Sequence, residues 1–283
     1  MLATALLATA LLATMVLTTS RVAADEPRLV LGTTVGLQQS GLLDVLIPPF
    51  ERQRSRAVTV VAVSAPQALA LGVRGELDAL LVDAAEDEGV FVAAGHGVER
   101  RLVFHADDVV LGPPSDPAHV RDARGVGDAL RRVAQAQQGW VSRADNSGLY
   151  QLEKKLWRDA GVEPLGQAWY QALGQGMQAT LAAATERQAY TLADRQAFLE
   201  RRDHLDLAVV SEGDPDLLRL YHIILVNPAR GEWIDAPDAR AFAEYLLGAE
   251  AQATIAAFGV DRFGQAIFTA DAGRTERELV PGS

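Results

Sequence analysis

From residue 28 onward, the chain alternates short apolar runs with amphipathic segments, and this alternation restricts the folds open to it. The apolar runs are rich in Val, Leu and Ala, as buried strands are, whereas the segments between them repeat apolar residues at helical spacing. Alternation of this kind predicts an α/β fold with mostly parallel sheets flanked by helices. The first predicted strands are 28–34, 57–64 and 77–84, and the first predicted helices are 40–53, 65–75 and 86–95.

The alternation is interrupted once and then restarts. Residues 100–114 look like paired strands closed by a proline break, and a helix is predicted within 114–137. Two successive α/β units predict two lobes with a cleft between them. The first lobe is expected to comprise 25–111, the second 112–222, and 223–283 is expected to return to the first. The later predicted elements are strands at 139–143, 205–214 and 221–229, and helical segments at 147–161, 176–190 and 237–259.

Both ends of the chain have distinctive compositions. Residues 1–24, MLATALLATALLATMVLTTSRVAA, predict a secretory signal peptide, because an apolar stretch precedes small residues that suit cleavage after Ala24. The sequence has no cysteine, which excludes disulfides, thiolate catalysis, cysteine metal sites and a lipid-anchored cysteine. These features predict a periplasmic location. The tail, 273–283, is expected to be loosely ordered.

Charge and motif content narrow the possible functions. The formal net charge is -11, which argues against a nucleic-acid partner because phosphates require an excess of Lys and Arg. The sequence contains no G-x-S-x-G, no H-E-x-x-H, no P-loop and no G-x-G-x-x-G after a strand. The sequence therefore predicts no enzymatic activity, no cofactor and no resident metal. We also expect the protein to be a monomer.

Isolated titratable residues give no catalytic pattern. The acidic pair Asp107-Asp108 and the acidic run 86–88 are interpreted as solvated faces or as charges at a helix start. Each histidine is expected on the surface or in a loop. The histidines are His96, His105, His119, His204 and His222.

Three polar segments join a predicted strand to a predicted helix, where open α/β sheets bind their ligands. They are GTTVGLQQSG (32–41), VSRADNSG (141–148) and YTLADRQAF (190–198). Backbone N–H groups at a helix N-terminus, combined with guanidinium and hydroxyl groups, suit an oxyanion. Because these segments fall in both units, the sequence predicts an anion site in a shared cleft.

Two other interpretations of these segments remain open. Ser, Thr, Asp and Asn are the preferred N-cap residues, so the polar residues could serve only to cap helices. The arginines of the second and third segments, Arg143 and Arg195, could pair with a nearby carboxylate, Asp145 or Asp194, instead of a ligand.

Longer motifs match a known family. TTVGLQQSGLLDVLIPPFE (33–51) aligns without gaps with the pattern TTTSTxxSGLLDxLLPxFE, and VSRADNSGLYQLEKKLW (141–157) aligns with VSRGDxSGTHxxExxLW. Segments 60–101, 174–199 and 257–268 match further patterns, including AYTLTDR. The chain resembles the tungstate-binding proteins of ABC importers, within the type II periplasmic-binding-protein fold. The resemblance implies a binding protein that closes around an anion and delivers it to a membrane permease.

The resemblance also implies a set of ligand-binding residues, and several of them depart from the family pattern. Hydroxyl residues of the family are replaced at Val35, Gly36, Leu37, Leu149 and Ala193, while both arginines are kept. The new Gly36 could supply a backbone N–H in compensation. The residues carried over by position are Thr33, Thr34, Gly36, Ser142, Arg143, Ser147 and Arg195.

The family's Thr-Gly before QAL is Ala65-Pro66, and Pro66 has no N–H to donate. The Gly of SRGD is Ala144. These departures leave the ligand open between tungstate or molybdate and a less hydrated anion, such as a small carboxylate, that would gain from Val35, Leu37 and Leu149. A role as a periplasmic sensor or partner-binding subunit is a further alternative.

Overall fold

A computed structural model describes residues 28–280 of the protein. The predicted signal peptide, 1–24, and its cleavage after Ala24 lie outside the described residues. Among residues 28–280, no helix combines the length and apolar character needed to cross a membrane.

The strands follow the apolar runs of the sequence. Short 3-10 turns occupy some of the connections between elements. The strands are β1 (Arg28–Thr34), β2 (Ala57–Val63), β3 (Ala79–Val82), β4 (Gly97–Gly112), β5 (Trp140–Ser142), β6 (Tyr170–Ala172), β7 (Thr191–Asp194), β8 (Ala208–Ser211), β9 (Leu218–Val226) and β10 (Phe268–Ala270).

Most helices coincide with the amphipathic segments, but short helices also form at 260–263 and 276–279, where none was predicted. The first polar segment contains a short helix of its own, and the predicted C-terminal helical region is broken at Gly248, whose backbone is extended. The helices are α1 (Val35–Ser40), α2 (Leu42–Arg54), α3 (Ala65–Val73), α4 (Ala85–Ala93), α5 (Val126–Gln135), α6 (Gly148–Asp159), α7 (Met177–Arg187), α8 (Arg195–Leu199), α9 (Ala236–Leu247), α10 (Ala249–Ala257), α11 (Val260–Phe263) and α12 (Glu276–Leu279).

The main sheet is mixed. Its order is β10-β4-β9-β3-β1-β2, and β7 and β8 both pair with β4. The pairs β1–β2 and β1–β3 are parallel, whereas β9 runs antiparallel to both β3 and β4. A second, two-stranded sheet pairs β5 and β6 in parallel. The predicted α/β architecture is confirmed, but the main sheet is mixed and not mostly parallel, because β9 enters antiparallel between β3 and β4, and β7, β8 and β10 also run antiparallel to β4.

Strand β4 is one continuous strand where the sequence predicted a pair. No Gly or Pro interrupts residues 98–111, so the chain continues without a turn. Its first part, 97–107, pairs with β9, and its last part, 108–112, pairs with β7 and β8. The strand thus passes from one set of partners to another at Asp107–Asp108.

The buried residues form two large hydrophobic cores, one on each side of this point. The first core surrounds β1, β3 and β9 and includes Phe50, Phe104 and Phe242. The second core lies among residues 109–217 and includes Trp140 and Trp157. Two cores are what a two-lobed chain requires. The boundaries 25–111, 112–222 and 223–283 remain a prediction.

Two histidines are buried, so the expectation that each histidine lies on the surface or in a loop is wrong for them. His105 on β4 lies 2.6 Å from Asp271, and His222 on β9 is only 1% exposed. His222 lies between the carboxylates of Glu88 and Glu276, which Arg100 also contacts. A buried imidazole on a strand is accommodated because acidic partners reach it from other elements.

The same contacts order part of the tail. Glu276 belongs to α12, and Leu279 of that helix is buried. The expectation of a loosely ordered tail is therefore wrong for residues up to 280, since this ion-paired network and Leu279 attach the tail to β4 and β9.

Candidate functional site

A cleft of about 1130 Å³ opens beside the point where β4 changes partners. One wall of the cleft contains Thr34, Val35 and the first-core residue Phe268, and the other contains Arg143 and Ser147, from the part of the chain that carries the second core. The C-terminal ends of β1 and β5 and the N-termini of α1 and α6 face this cleft, as expected for a ligand site in an α/β protein.

In the first polar segment, β1 ends at Thr34 and α1 begins at the next residue, so Thr34 is both the last residue of the strand and the N-cap of the helix. The Thr34 side chain caps α1 by accepting a hydrogen bond from the N–H of Leu37, at 3.3 Å. Thr34 and Gly36 line the cleft. Thr33 does not, because its side chain is fully buried and its hydroxyl donates to the carbonyl of Leu81 at 2.8 Å. Thr33 therefore ties β1 to β3.

The second polar segment places a guanidinium and a helix N-terminus together. Ser147 caps α6 by accepting from the N–H of Tyr150, and its hydroxyl donates to Asp145 at 2.5 Å. Arg143 donates to Asp145 from Nε and Nη2, at 3.0 and 2.7 Å. Burial raises the pKa of Asp145, but the hydrogen bonds from Ser147 and the charge of Arg143 together lower it by more. The pKa of Asp145 therefore lies below its usual value. Asp145 thereby orients both candidate ligand groups.

Ser142 lies outside the cleft, behind Arg143. Its hydroxyl donates to the carboxylate of Glu153 at 2.9 Å and accepts from the N–H of Ala144. Glu153 is buried on α6 and also accepts from Trp140 Nε1 and the Tyr170 hydroxyl, both at 2.9 Å. Ser142 therefore positions the loop and is not itself at the surface of the cleft.

The third polar segment brings Arg195 into the cleft at the first residue of α8. Its guanidinium donates to Asp107 at 2.6 Å and to Glu212 at 2.7 Å. The side chain is 14% exposed. Both arginines are thus held by carboxylates, as the alternative interpretation expected, although Arg195 uses partners other than Asp145 and Asp194.

A third arginine, Arg219, lies at the centre of the site, and the sequence analysis did not identify it. Arg219 is near the start of β9, is 8% exposed and lines the cleft. It donates to both oxygens of Asp108, at 2.5 and 2.9 Å, and also to Asp83 and Asp194. A charged residue inside the apolar run LRLYHIILV was the available signal, because a buried charge requires a partner.

These residues form what we term the Arg219 cluster: Asp83, Asp108, Asp145, Asp194, Arg143 and Arg219. The interpretation of Asp107-Asp108 as a solvated pair is wrong for Asp108, which is fully buried. Burial raises the pKa of Asp108 to about 7, although Arg219 opposes the shift. The acidic run 86–88 does lie in the first turn of α4, but Glu88 is buried against Arg100 and His222.

The replaced family positions divide by location. Val35, Gly36 and Ala65 line the cleft. Leu37, Leu149 and Ala193 are core residues, because α1 turns Leu37 away from the cleft, α6 turns Leu149 away, and Ala193 is fully buried on β7. The hypothesis that Leu37 and Leu149 favour a partly apolar anion therefore lacks support from their positions, and Val35 alone of those three side chains is in contact with the cleft.

The cleft presents N–H donors that can bind an anion. Within residues 28–280, no group of three or more His, Asp or Glu side chains could hold a metal ion. The donors that remain are guanidinium N–H groups of Arg143 and Arg195 and the backbone N-terminus of α6, which together suit a compact oxyanion. Ser147 lies beside them with its own proton donated to Asp145.

Similarity to known proteins agrees with this geometry. A profile described as a PBP superfamily domain matches residues 21–250. The chain is 38% identical over 248 residues to the tungstate-binding protein TupA of Peptoclostridium acidaminophilum, covering 87% of this chain and 86% of that protein. This chain belongs to the TupA family. TupA proteins are binding proteins of transporters, so the expectation that the chain is not an enzyme is confirmed at the level of the family.

Solved structures of the TupA family share the fold. The tungstate-binding protein TupA from Desulfovibrio alaskensis G20 superposes with a TM-score of 0.79 at 35% identity, covering 87% of this chain and 99% of that one. The structure of the tungstate ABC transporter from Geobacter sulfurreducens gives a TM-score of 0.72 at 39% identity, covering 82% and 98%. These likenesses confirm the periplasmic-binding-protein fold predicted from the motifs.

Proposed function

We propose that the chain is the solute-binding protein of an ABC importer and that it binds a tetrahedral oxyanion of the tungstate or molybdate type. The observation that carries the proposal is the placement of Arg143 and Ser147 at the N-terminus of α6, facing a cleft between two cores, in a member of the TupA family. The direct contacts we propose are Thr34, Gly36, Arg143, Ser147 and Arg195.

Thr33 and Ser142 have a different part in this proposal. Both residues lie outside the cleft, and their hydroxyls donate to Leu81 and Glu153 respectively. We therefore assign them to positioning the two loops and not to ligand contact. A small carboxylate is less well supported than a tetrahedral oxyanion. Among the positions where a family hydroxyl is replaced, only Val35 presents a bulky apolar side chain to the cleft.

The proposal includes delivery. We assign one lobe to 25–111 with 223–283 and the other to 112–222. The two lobes close around the anion by a shift between open and closed populations. Export by the 1–24 signal peptide would place a monomeric protein in the periplasm, where a membrane permease accepts the anion from the closed form.

Titration calorimetry tests the proposal. Tungstate, molybdate, sulfate, phosphate and acetate are titrated separately into the protein purified without its signal peptide. We expect tight binding of tungstate or molybdate and no displacement by excess sulfate. Tight binding of acetate with no heat from either metal oxyanion would contradict the proposed ligand class.

Two arginine variants make this test specific. Arg143→Ala should weaken tungstate binding by about 10- to 150-fold for each hydrogen bond lost, because a charge-assisted hydrogen bond contributes about 1.5–3 kcal/mol. Its unfolding free energy should change by no more than about 1 kcal/mol, since the ion pairs of Arg143 are partly solvated. Arg158→Ala is the matched control, because Arg158 is 60% exposed on α6 and lies outside the cleft. Unchanged tungstate affinity in Arg143→Ala would remove that residue from the site.

A further inference from the structure

Asp83 is a buried carboxylate with one unused oxygen. It follows β3 directly, and its side chain is 1% exposed. Its Oδ2 accepts a hydrogen bond from Arg219 at 3.1 Å, whereas Oδ1 has no hydrogen-bond partner among the described residues. Buried oxygens are almost always hydrogen-bonded in folded proteins, so an unused one points to a partner that is not part of the chain.

The position of this oxygen connects it to the proposed anion site. Gly148 is the first residue of α6, and a Cβ atom added there would overlap the Asp83 carboxylate. Asp83 and Gly148 both line the cleft together with Arg143 and Ser147. An oxyanion held at the N-terminus of α6 therefore lies beside Asp83.

Asp83 is also distinct within the Arg219 cluster. Both oxygens of Asp108 accept from Arg219. Each oxygen of Asp194 faces a guanidinium, and each oxygen of Asp145 accepts from Ser147 or Arg143. In the cluster, Asp83 alone of these described carboxylates keeps an oxygen without a donor.

The charge balance around Asp83 disfavours a fully ionised site. The cluster sets four carboxylates against the two guanidiniums of Arg143 and Arg219. Burial raises the pKa of Asp83, and Arg219 offsets this only in part. Glu88 of α4 also faces Asp83 and raises its pKa, whereas a hydrogen bond from the Tyr221 hydroxyl of β9 lowers it by less than burial raises it. A dianion brought next to these carboxylates favours protonation further, because like charges disfavour the ionised form.

We propose that anion binding in this cleft is coupled to the uptake of one proton by Asp83, whose protonated Oδ1 then donates a hydrogen bond to the bound oxyanion. The proton comes from solvent and forms one O–H bond, and no bond of the ligand breaks. Protonation changes Oδ1 from an acceptor, which repels the anion, into a donor that binds it. The inference rests on the proposed function.

Calorimetry in several buffers measures the proton directly. Tungstate is titrated into the protein at about pH 6.5, 7.5 and 8.5, in buffers that differ in ionisation enthalpy. At pH values where Asp83 of the free protein is ionised, the slope of the binding heat against the buffer's ionisation enthalpy should correspond to about one proton taken up per anion. Over the same range, affinity should fall up to about tenfold per pH unit. Tight binding whose heat and affinity are independent of buffer and pH would overturn the inference but leave the proposed function intact. Absence of tungstate binding would contradict the proposed function first.

Two variants assign the proton to its residue. Asp83→Asn keeps a donor and cannot ionise, so we expect binding without proton uptake and with affinity that no longer falls with pH. Asp107→Asn is the matched control: its Oδ1 also lacks a partner among the described residues, but its side chain is 31% exposed and belongs to the Arg195 pair. Proton uptake should persist in Asp107→Asn, whatever its affinity. Uptake that persists in Asp83→Asn would overturn the assignment, and the wild-type measurement stands if that variant does not fold.

Discussion

Ala144 has a backbone conformation that suits glycine better than alanine. Its φ is 50°, in the left-handed region, and it lies between Arg143 and Asp145 in the second polar segment. A Cβ in that region costs roughly 1–2 kcal/mol, whereas glycine loses more entropy on folding, by about 0.5–1 kcal/mol. The family pattern quoted above has Gly at this position.

Ala144→Gly should therefore raise the unfolding free energy by roughly 0.5–1 kcal/mol, as measured by urea denaturation. Ala136→Gly is the control, because Ala136 is an exposed residue at the C-terminus of α5 with φ -78°. That control should lose stability. Equal losses in both variants would mean that the left-handed conformation at Ala144 carries no strain.

At the scale of elements, the orientation of α1 determines at which of positions 35, 36 and 37 a restored hydroxyl would face the cleft. Val35 and Gly36 face the cleft, and Val35 is 44% exposed, whereas Leu37 is 1% exposed in the first core. A Cβ atom added at Gly36 would meet nothing within 4 Å. A sequence comparison treats the three positions alike, but one turn of helix separates them into two environments.

Val35→Thr should tighten tungstate binding and change the unfolding free energy by less than about 0.5 kcal/mol, because the added hydroxyl is at the surface of the cleft. Leu37→Thr should lower the unfolding free energy by roughly 2–4 kcal/mol without tightening binding, because it removes core volume and buries a hydroxyl. Calorimetry and urea denaturation on both variants check this pair. Tighter binding in Leu37→Thr would show that α1 is oriented otherwise in the bound protein.

At the scale of the whole molecule, buried titratable groups on β4 and β9 make stability depend on pH. Burial raises the native pKa of Asp108 to about 7, so the native state holds a proton that the unfolded state releases near its ordinary value. Burial lowers the pKa of His222, but hydrogen bonds to Glu276 and Glu88 raise it more, so the pKa lies above its usual value. In both cases the native state binds more protons than the unfolded state.

The unfolding free energy should therefore fall as pH rises, from about pH 4 to 7 for Asp108 and from about pH 6.5 upward for His222. We expect a decline on the order of 2 kcal/mol between about pH 5 and pH 8, measured by urea denaturation. The hydrogen bond to His222 lowers the pKa of Glu276 to about 2. The unfolding free energy should therefore also fall as the pH drops below about 4.5, where the unfolded state takes up a proton at Glu276 and the native state does not. Asp108→Asn should flatten the decline. A free energy that rises steadily from pH 5 to pH 8 would contradict the assignment.

The family and most of the strand and helix segments were determined by the sequence alone. Runs such as 28–34 and 147–161 form their elements through local periodicity, which requires no knowledge of the rest of the chain. The same locality placed Thr34, Arg143, Ser147 and Arg195 at strand ends and helix starts, and the structure brings all four into one cleft.

Only the tertiary structure decided how those segments meet. Arg219 and Asp108 are separated by 111 positions and pair only because β9 lies beside β4. Leu37 packs in the first core while Val35 faces the cleft. Ser142 is held by the buried carboxylate of Glu153 while Arg143 faces the cleft. Sequence periodicity is short-ranged, whereas burial and ion pairing depend on strand order, and this is why the acidic cluster around Arg219 appears only in the folded chain.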